Sequence, residues 1–372
     1  MFTADDRKAD RAPRRSSPQI KYGGRDSDTS KMRKIGFVLA SALLAATLAS
    51  APATAANKIP DWVKPAVNYL DAAGYLDKAT FKANRPMSRA AFKKLVRKAF
   101  GAGYYKRTTG QVTAGEVGHA LVKALGRKDI VSTLETAASP DGWKPAVGRH
   151  FGSEIVSREL GLRRDRPTTE DGFEASASEP MRQGDIAYAV HRAKTAPSLY
   201  SADALRGFQL PNYGEKRRKV IQYAMSLVGT PYVWAGEWPQ RTPSGYPYGA
   251  QVHGGFDCSG FVWYVLQKKT TGYKPMGRPY KGWSIPQRAS YDMAAGTKDR
   301  LGYKKLRAGD IVFFAPGGKK AKAKDVYHAG IYMGRGWMIH SSGSRAGLSI
   351  TTIAPGSWWH GQIVWGRRVI TN

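Results

Sequence analysis

The stretch FDCSGFV, residues 256–262, decides how the C-terminal part of this chain folds. It holds Cys258, the only cysteine among 372 residues. An apolar stripe at helical spacing follows, formed by Phe261, Val262, Val265 and Leu266. The stripe predicts a helix that begins at or directly after Cys258. A thiol at a helix N-terminus meets the positive end of the helix dipole and free N–H groups, so the sequence predicts a favoured thiolate.

A thiol nucleophile needs a base that also protonates the leaving amine. Residues 214–372 contain the histidines His253, His328, His340 and His360. His328 stands directly before the apolar run 329–333, and His340 ends the run 337–340. The glycines between these runs predict a tight hairpin. Because a hairpin places its strands side by side, we expect His328 and His340 to lie close together, one facing the thiol and the other orienting it.

Simpler interpretations exist for each residue alone. A lone cysteine is often a small buried hydrophobe, and a histidine at a strand end is often structural. Two histidines and a cysteine could also bind zinc. The chain has neither a Cys-x-x-Cys nor a His-x-x-x-His pair, so the sequence predicts no metal and no cofactor. The combination of Cys258, His328 and His340 favours nucleophilic catalysis.

The pattern of residues 214–372 is that of an α+β domain. Amphipathic helices are predicted at 216–228 and 258–268. Short β-rich runs bounded by glycine or proline follow at 310–314, 329–333, 337–340 and 363–370. Helices followed by an antiparallel sheet define this class of domain.

A series of motifs in this region resembles the NlpC family of cell-wall cysteine endopeptidases. In chain order they are GTPYVWAG at 229–236, DCSGF at 257–261, GDIVFF at 309–314, HAGIYMG at 328–334 and IH at 339–340. The resemblance covers residues 216–370 and implies a reduced papain-like fold. It also implies cleavage of peptidoglycan stem peptides, commonly between γ-D-glutamate and the diamino acid.

The resemblance assigns roles to residues of this chain. It implies that Cys258 is the nucleophile, that His328 is the base and that His340 orients His328. Substrate binding, or stabilisation of the oxyanion, is implied for Tyr232. Contacts with the amine of the stem peptide are implied for two neighbours of the thiol, Asp257 and Ser259.

The chain departs from the family pattern at three places. Ala235 replaces the first glycine of the usual Trp-Gly-Gly, residues 237–255 are longer than the usual connection, and a Lys-rich loop at 317–324 precedes His328. These departures affect substrate fit and leave the catalytic groups in place. Because both ends of 237–255 adjoin motifs of the site, we expect this segment to lie over or beside the cleft and to restrict which stem peptides enter.

Residues 57–194 are predicted to be a mostly helical repeat region. Similar helix starts occur at 87–92, 112–117 and 181–186, with Ser88 and Thr113 as N-caps. Repeated short helical units imply modules that share a core. The Trp-led stretch at 62–67 is echoed at 143–147.

The first of these units resembles S-layer homology repeats, which anchor exported proteins to wall polysaccharide. The resemblance rests on the Trp-led helix, on Gly74-Tyr75, on Phe81 and on the helix start SRAA at 88–91. It implies Arg89 as a contact to wall polymer. Ala114 and Gln183 occupy that position in the later copies. A helical spacer without a ligand is the alternative.

The start of the chain predicts export. Residues 1–31 are polar and aperiodic, either a mis-assigned start or disordered. A cationic start, an apolar run and an Ala-Thr-Ala site at 53–55 give residues 32–56 the layout of a secretory signal peptide. An uncleaved signal anchor is the alternative. The predicted mature protein is secreted and associated with the cell wall.

The formal net charge is +31, so a polyanion is the expected partner. Export favours an anionic wall polymer, bound through the basic N-terminal region, and excludes nucleic acid. We expect a linker at 195–213 and the peptidase domain at 214–372. The predicted function is a peptidoglycan endopeptidase with stem peptide as its substrate. The alternatives are a non-catalytic wall-binding protein, or a cysteine amidase or acyltransferase on a related fold.

Overall fold

The computed structural model describes residues 59–137, 147–164, 174–195, 200–242, 250–266 and 285–370. All of them belong to one compact unit, Ile59–Asn372. The predicted signal peptide at 32–56, and the tryptophan that begins the echo at 143–147, lie outside the described residues. Within the described ranges, no helix is long and apolar enough to cross a membrane.

The N-terminal part is helical. Its main helices are α1 (Lys64–Ala72), α2 (Arg89–Phe100), α3 (Ala114–Ala124), α4 (Lys128–Thr136), α5 (Phe151–Glu159) and α6 (Gln183–Thr195). The two predicted caps are confirmed, since the side chains of Ser88 and Thr113 accept N–H groups in the first turns of α2 and α3. Helix α5 was not predicted because it is buried on every side, and its charged residues hide the usual amphipathic pattern.

The repeated helix starts meet in a closed ring of backbone hydrogen bonds. The Met87 N–H donates to the Met181 carbonyl at 3.1 Å, and the Val112 N–H donates to the Met87 carbonyl at 3.0 Å. The Met181 N–H donates to the Val112 carbonyl at 2.9 Å and closes the ring. The equivalent segments of the repeats therefore contact one another, and Met87, Val112 and Met181 are all buried.

The C-terminal part combines helices with an antiparallel sheet. Its helices are α7 (Tyr200–Ala204), α8 (Glu215–Ser226), α9 (Cys258–Leu266), α10 (Ser290–Ala295) and α11 (Trp358–Gly361). The strands β1 (Glu237–Trp238) and β2 (Gly255–Phe256) pair with each other. The larger sheet has the order β6-β5-β4-β3-β7 and contains β3 (Ile311–Phe314), β4 (His328–Gly334), β5 (Trp337–Ser342), β6 (Gly347–Thr352) and β7 (Ile363–Arg367).

The predicted helices followed by an antiparallel sheet are present, and the predicted hairpin is the turn between β4 and β5. Strand β6 was not predicted. Its polar residues Ser349 and Thr351 alternate with apolar ones, yet both are buried. They pair across the sheet with His340 and Met338 of β5, so β6 carries its polar side chains into the interior beside the predicted site.

The helical part contacts the sheet at more than one place. The end of helix α5 lies against β6, where the Arg158 guanidinium donates to the carbonyls of Arg345 and Ala346. The segment predicted to be a linker contains the buried side chains of Leu205, Phe208, Leu210 and Tyr213. The Tyr213 hydroxyl donates to the Met333 carbonyl of β4 at 2.5 Å. The domain boundaries at 194 and 214 stay predictions.

Candidate active site

Helix α9 begins at Cys258, as predicted. The Asp257 carboxylate accepts the N–H of Gly260 at 2.5 Å and so caps the first turn. Gly260 lies directly against the backbone, since a Cβ there would meet the Gly236 carbonyl oxygen at 2.0 Å. Only glycine allows this close approach, so the first turn of α9 packs directly against the backbone at Gly236.

The thiol of Cys258 lies at the start of strand β4. Its Sγ is 3.8 Å from the carbonyl oxygen of Tyr327, and the backbone N–H of Ala329 also interacts with it. These two residues flank His328 in the sequence. The predicted meeting of Cys258 with the strand that begins at His328 is therefore present in the structure.

The thiol is not the favoured thiolate that the helix position predicts. Burial, with the neighbouring Asp257 carboxylate as a second cause, raises the pKa of the Cys258 thiol to about 12. The N–H groups of Ala329 and Ser259 lower the pKa but are outweighed. The expectation was wrong because desolvation of the anion exceeds the effect of the helix terminus. The raised pKa favours the neutral thiol over the thiolate.

The histidines His328 and His340 are brought together by the hairpin of β4 and β5. His328 Nε2 lies 2.8 Å from His340 Nδ1, and the two rings are perpendicular. On its other side, His340 Nε2 lies 3.2 Å from Thr351 Oγ1 of β6, so the hydrogen bonds form a continuous array of three residues. A base held by a second group in this way has a fixed ring orientation and a fixed tautomer.

Aromatic side chains cover the histidine pair. The ring of Trp359 lies 4.9 Å from that of His328 and 5.2 Å from that of His340, and Phe314 contacts His328 from another side. This burial lowers the pKa of His328 to about 3, and it lowers the pKa of His340 well below its ordinary value. Both rings are neutral at neutral pH, so His328 can accept a proton.

Asp257 and Ser259 both contact Arg288, a buried residue that the sequence did not single out. Arg288 reaches the Asp257 carboxylate with two nitrogens at 3.1 Å and Ser259 Oγ at 2.9 Å. Its Nε donates to Glu237 Oε2 at 3.0 Å. The network holds the residues on either side of Cys258 in place. Their contacts with substrate stay a prediction.

Tyr232 belongs to the wall next to the thiol motif. Its backbone bridges Phe256, two residues before Cys258, and its N–H donates to the Ala346 carbonyl at 3.1 Å. The structure thus places Tyr232 between the start of α9 and the turn that leads into β6. Its role towards substrate stays a prediction.

Sequence reasoning missed Arg288, Trp359 and Thr351. The side-chain partners of Arg288 lie 29, 31 and 51 residues away in the chain, so no local motif marks it. Thr351 lies in a stretch where polar and apolar residues alternate, as in an ordinary strand with one exposed face. Trp359 follows another tryptophan in a short aromatic stretch, and this local enrichment is the one available signal.

No group of three or more potential ligand side chains in the described ranges could hold a metal ion. In the helical part, Arg89 is engaged by the chain itself. Its Nε lies 3.0 Å from Glu116 Oε2, and its Nη1 donates to the Thr109 carbonyl at 2.9 Å. The cation that the resemblance implies for wall polymer therefore already has an acidic partner.

Comparison with known proteins bears on the C-terminal part. Residues 229–367 match the NlpC/P60 family. The gamma-D-glutamyl-L-lysine dipeptidyl-peptidase of Bacillus subtilis (strain 168) is 32% identical over 135 residues, which are 36% of this chain and 35% of that protein. The peptidoglycan endopeptidase RipB of Mycobacterium tuberculosis is 29% identical over 161 residues, 43% of this chain and 57% of that protein.

Among solved structures, an NlpC/P60 family protein from Bacillus cereus ATCC 10987 is 24% identical, with a TM-score of 0.30. That match covers 44% of this chain and 42% of the other. The chain spans less than two thirds of the length of each of these proteins.

A thiol at a helix start, beside a buried imidazole pair on an antiparallel hairpin, is the type of site that cysteine hydrolases use. Residues 229–367 form an NlpC/P60 family domain. The N-terminal resemblance to S-layer homology repeats stays a prediction.

Proposed function

We propose that this protein is a cysteine endopeptidase that cleaves peptidoglycan stem peptides. Cys258 is the nucleophile, His328 is the base and His340 orients His328. The observation that carries the proposal is the 2.8 Å hydrogen bond between His328 and His340. His328 opens strand β4, which begins beside the Cys258 thiol. The peptidoglycan hydrolases among the relatives of residues 229–367 support the choice of substrate.

The neutral state of the site determines the proposed order of events. Because the thiol and His328 are both neutral at rest, the thiol proton passes to His328 as Sγ attacks the carbonyl carbon of the scissile amide. His328 then gives that proton to the nitrogen of the scissile bond. The C–N bond breaks, the amine leaves, and the acyl group stays on Sγ as a thioester. Water hydrolyses the thioester with the same base, and the free thiol returns. Tyr232 contacts substrate or the oxyanion in this proposal.

The bond that we propose is the one between γ-D-glutamate and the diamino acid. It fits the name of the Bacillus subtilis relative, a gamma-D-glutamyl-L-lysine dipeptidyl-peptidase. In the proposal Asp257 and Ser259 recognise the amine of the stem peptide, and Arg288 holds both in place.

We further propose that the protein is secreted and that its basic N-terminal region binds an anionic wall polymer. The formal net charge of +31 supports a polyanionic partner. Binding of this kind weakens as salt screens the charges. Co-sedimentation of the full chain with purified wall, at low and high salt, tests this part of the proposal.

The proposed reaction is tested by mass spectrometry of purified peptidoglycan after incubation with the protein. We expect fragments cut between γ-D-glutamate and the diamino acid, and none from Cys258→Ala, which lacks the nucleophile. Addition of a chelator to the wild-type protein should leave the yield unchanged. Cleavage that survives Cys258→Ala would overturn the proposal, and fragments cut at an amide outside the stem peptide would reassign the substrate.

A further inference from the structure

A carboxylate from the helical part of the chain ends the hydrogen-bond array of the histidine pair. Glu159, the last residue of α5, is 5% exposed. Its Oε1 accepts from Thr351 Oγ1 at 2.8 Å and from Ser349 Oγ at 2.7 Å. Its Oε2 lies 3.2 Å from Arg345 Nε. Because Thr351 also contacts His340, Glu159 is the fourth member of one continuous array.

The chemistry of these groups fixes the direction of every hydrogen bond in the array. Glu159 is ion-paired with Arg345, and a carboxylate accepts hydrogen bonds but donates none. The single hydroxyl proton of Thr351 therefore points to Glu159, and Thr351 accepts from His340 Nε2–H. A neutral His340 protonated at Nε2 has a free lone pair at Nδ1. It uses this lone pair to accept the Nε2–H of His328 at 2.8 Å.

The last step of this chain of bonds concerns the atom that serves the thiol. A neutral His328 with its proton at Nε2 has no proton at Nδ1. Nδ1 is the nitrogen that His340 does not occupy, so it is the one available to take the Cys258 proton. If the array ran the other way, His328 Nδ1 would carry the proton, and the ring could not act as a base.

We infer that Glu159 is a positioning residue for the reaction, because it sets the tautomers of His340 and His328 through Thr351. The inference rests on the proposed endopeptidase function. When His328 takes the thiol proton, positive charge develops on a pair of rings with little access to water. The hydrogen bonds that end at the Glu159 carboxylate stabilise that state by orienting both rings, whereas Arg345 offsets the charge of the carboxylate itself. The helical part of the chain thereby supplies a group to the chemistry of the sheet.

Strand β6 offers a matched pair of substitutions. Thr351→Val removes the relay hydroxyl at nearly constant volume and leaves Ser349 and Arg345 to hold Glu159. Ser349→Ala removes the other hydroxyl that bonds Glu159 Oε1 and leaves the relay intact. A purely structural role for Glu159 would make the two variants similar, whereas a positioning role separates them.

The experiment measures each variant of the full chain in two ways. The first is kcat and KM on purified stem peptide. The second is the rate at which iodoacetamide alkylates Cys258 between pH 5 and 10, which needs no substrate. We expect Thr351→Val and Glu159→Gln to lower kcat and the alkylation rate at pH 7 about tenfold, the effect of one charge-assisted hydrogen bond, with KM unchanged. Thr351→Ser should restore both rates, and Ser349→Ala should stay within about twofold of the wild type.

The two readouts separate this inference from the proposed function. Alkylation differences in a protein that cleaves no peptidoglycan would refute the function and support the array. A wild type that cleaves, with Thr351→Val and Ser349→Ala equal in kcat and in alkylation, would overturn the inference. Should Glu159→Gln not fold, the Thr351 series decides, because its substitutions leave helix α5 unchanged. Equal melting temperatures of Thr351→Val and Ser349→Ala confirm that the comparison concerns chemistry.

Discussion

Two buried polar clusters flank the C-terminal end of helix α5, and they treat charge in opposite ways. In the ionic cluster, Arg158 and Arg163 face the carboxylates of Glu154 and Glu174. Arg158 Nη2 lies 3.6 Å from Glu154 and 3.3 Å from Glu174, and Arg163 pairs with Glu154. In the histidine array, which is formed by His328, His340, Thr351 and Glu159, the two imidazole rings are as deeply buried and carry no charge.

The difference reflects what each cluster is for. A buried ion pair resists rearrangement, because the loss of one partner leaves an uncompensated charge in the interior. The ionic cluster therefore suits the task of fixing α5 against β6. A proton relay needs groups that are neutral at rest and can accept charge briefly. Burial keeps both histidines neutral, and His328 and Arg345 lower the pKa of His340 further. In the inference above, the hydrogen bonds that end at Glu159 support the charged state.

The largest expected effect belongs to the histidine array. His328→Ala should lower kcat/KM at least about a thousandfold, because the substitution removes the proposed base for the thiol proton. His340→Ala should lower it about tenfold to a hundredfold, since this ring orients and does not transfer the proton. Steady-state kinetics on stem peptide measure both. Equal losses in the two variants would show that His340 does more than orient, and circular dichroism of each variant is the control for folding.

Substitutions in the ionic cluster should lower the stability of the fold. Arg158→Met leaves Arg163 as the remaining cation for Glu154 and Glu174 and removes the hydrogen bonds to the carbonyls before β6. We therefore expect the free energy of unfolding to fall by about 3–5 kcal/mol. Urea denaturation measures it. Lys64→Met is the control, because Lys64 forms an exposed pair with Asp61 and its loss should cost less than about 1 kcal/mol. A loss at Arg158 no larger than at Lys64 would remove the contrast between the clusters.

The smallest effects are in pH dependence, and the two clusters should give opposite signs. Burial raises the pKa of Glu174 from 4.5 to about 7, so its stabilising contribution is present below pH 4.5 and is lost as the pH rises through 7. Burial lowers the pKa of His328 from 6.5 to about 3, so its contribution is present above pH 6.5 and is lost as the pH falls towards 3. Each group changes the slope of stability by at most about 1.4 kcal/mol per pH unit.

Glu174→Gln and His328→Gln isolate these slopes. From pH 7 to pH 5, Glu174→Gln should lose stability relative to the wild type, whereas His328→Gln should gain it. Free energies of unfolding from urea titrations at pH 5, 6 and 7 decide the matter. Slopes of the same sign in both variants would contradict the opposite burial effects.

The sequence was sufficient where the chemistry is local. Cys258 opens a helix whose apolar stripe is visible in the next eight residues, and the turn between His328 and His340 is marked by glycines. The hairpin and the meeting of the two histidines could therefore be predicted. The pKa of the thiol could not, since it depends on burial by parts of the fold that are distant in the chain.

The groups that support the histidines could not be predicted from local sequence patterns. Glu159 and Thr351 are 192 residues apart, and each has an unremarkable sequence context. Helix α5 shows the difficulty directly, because its buried glutamates and arginines look like a solvated surface until their partners are known. The spacing of apolar residues identifies the buried face of a helix, and it gives no signal where the buried residues are themselves charged.

The buried carboxylate of Glu159 also bears on how such a chain can be recombined in evolution. Gene fusions exchange segments most easily where few buried contacts are cut. Residues 229–367, if transplanted alone, would leave Arg345, Ser349 and Thr351 without the acceptor that they share. The ring of Trp337, whose centroid lies 5.3 Å from that of Phe208, would lose this cover and expose apolar surface. The segment that would have to be transferred to keep these buried contacts is therefore larger than residues 229–367, which carry the motifs.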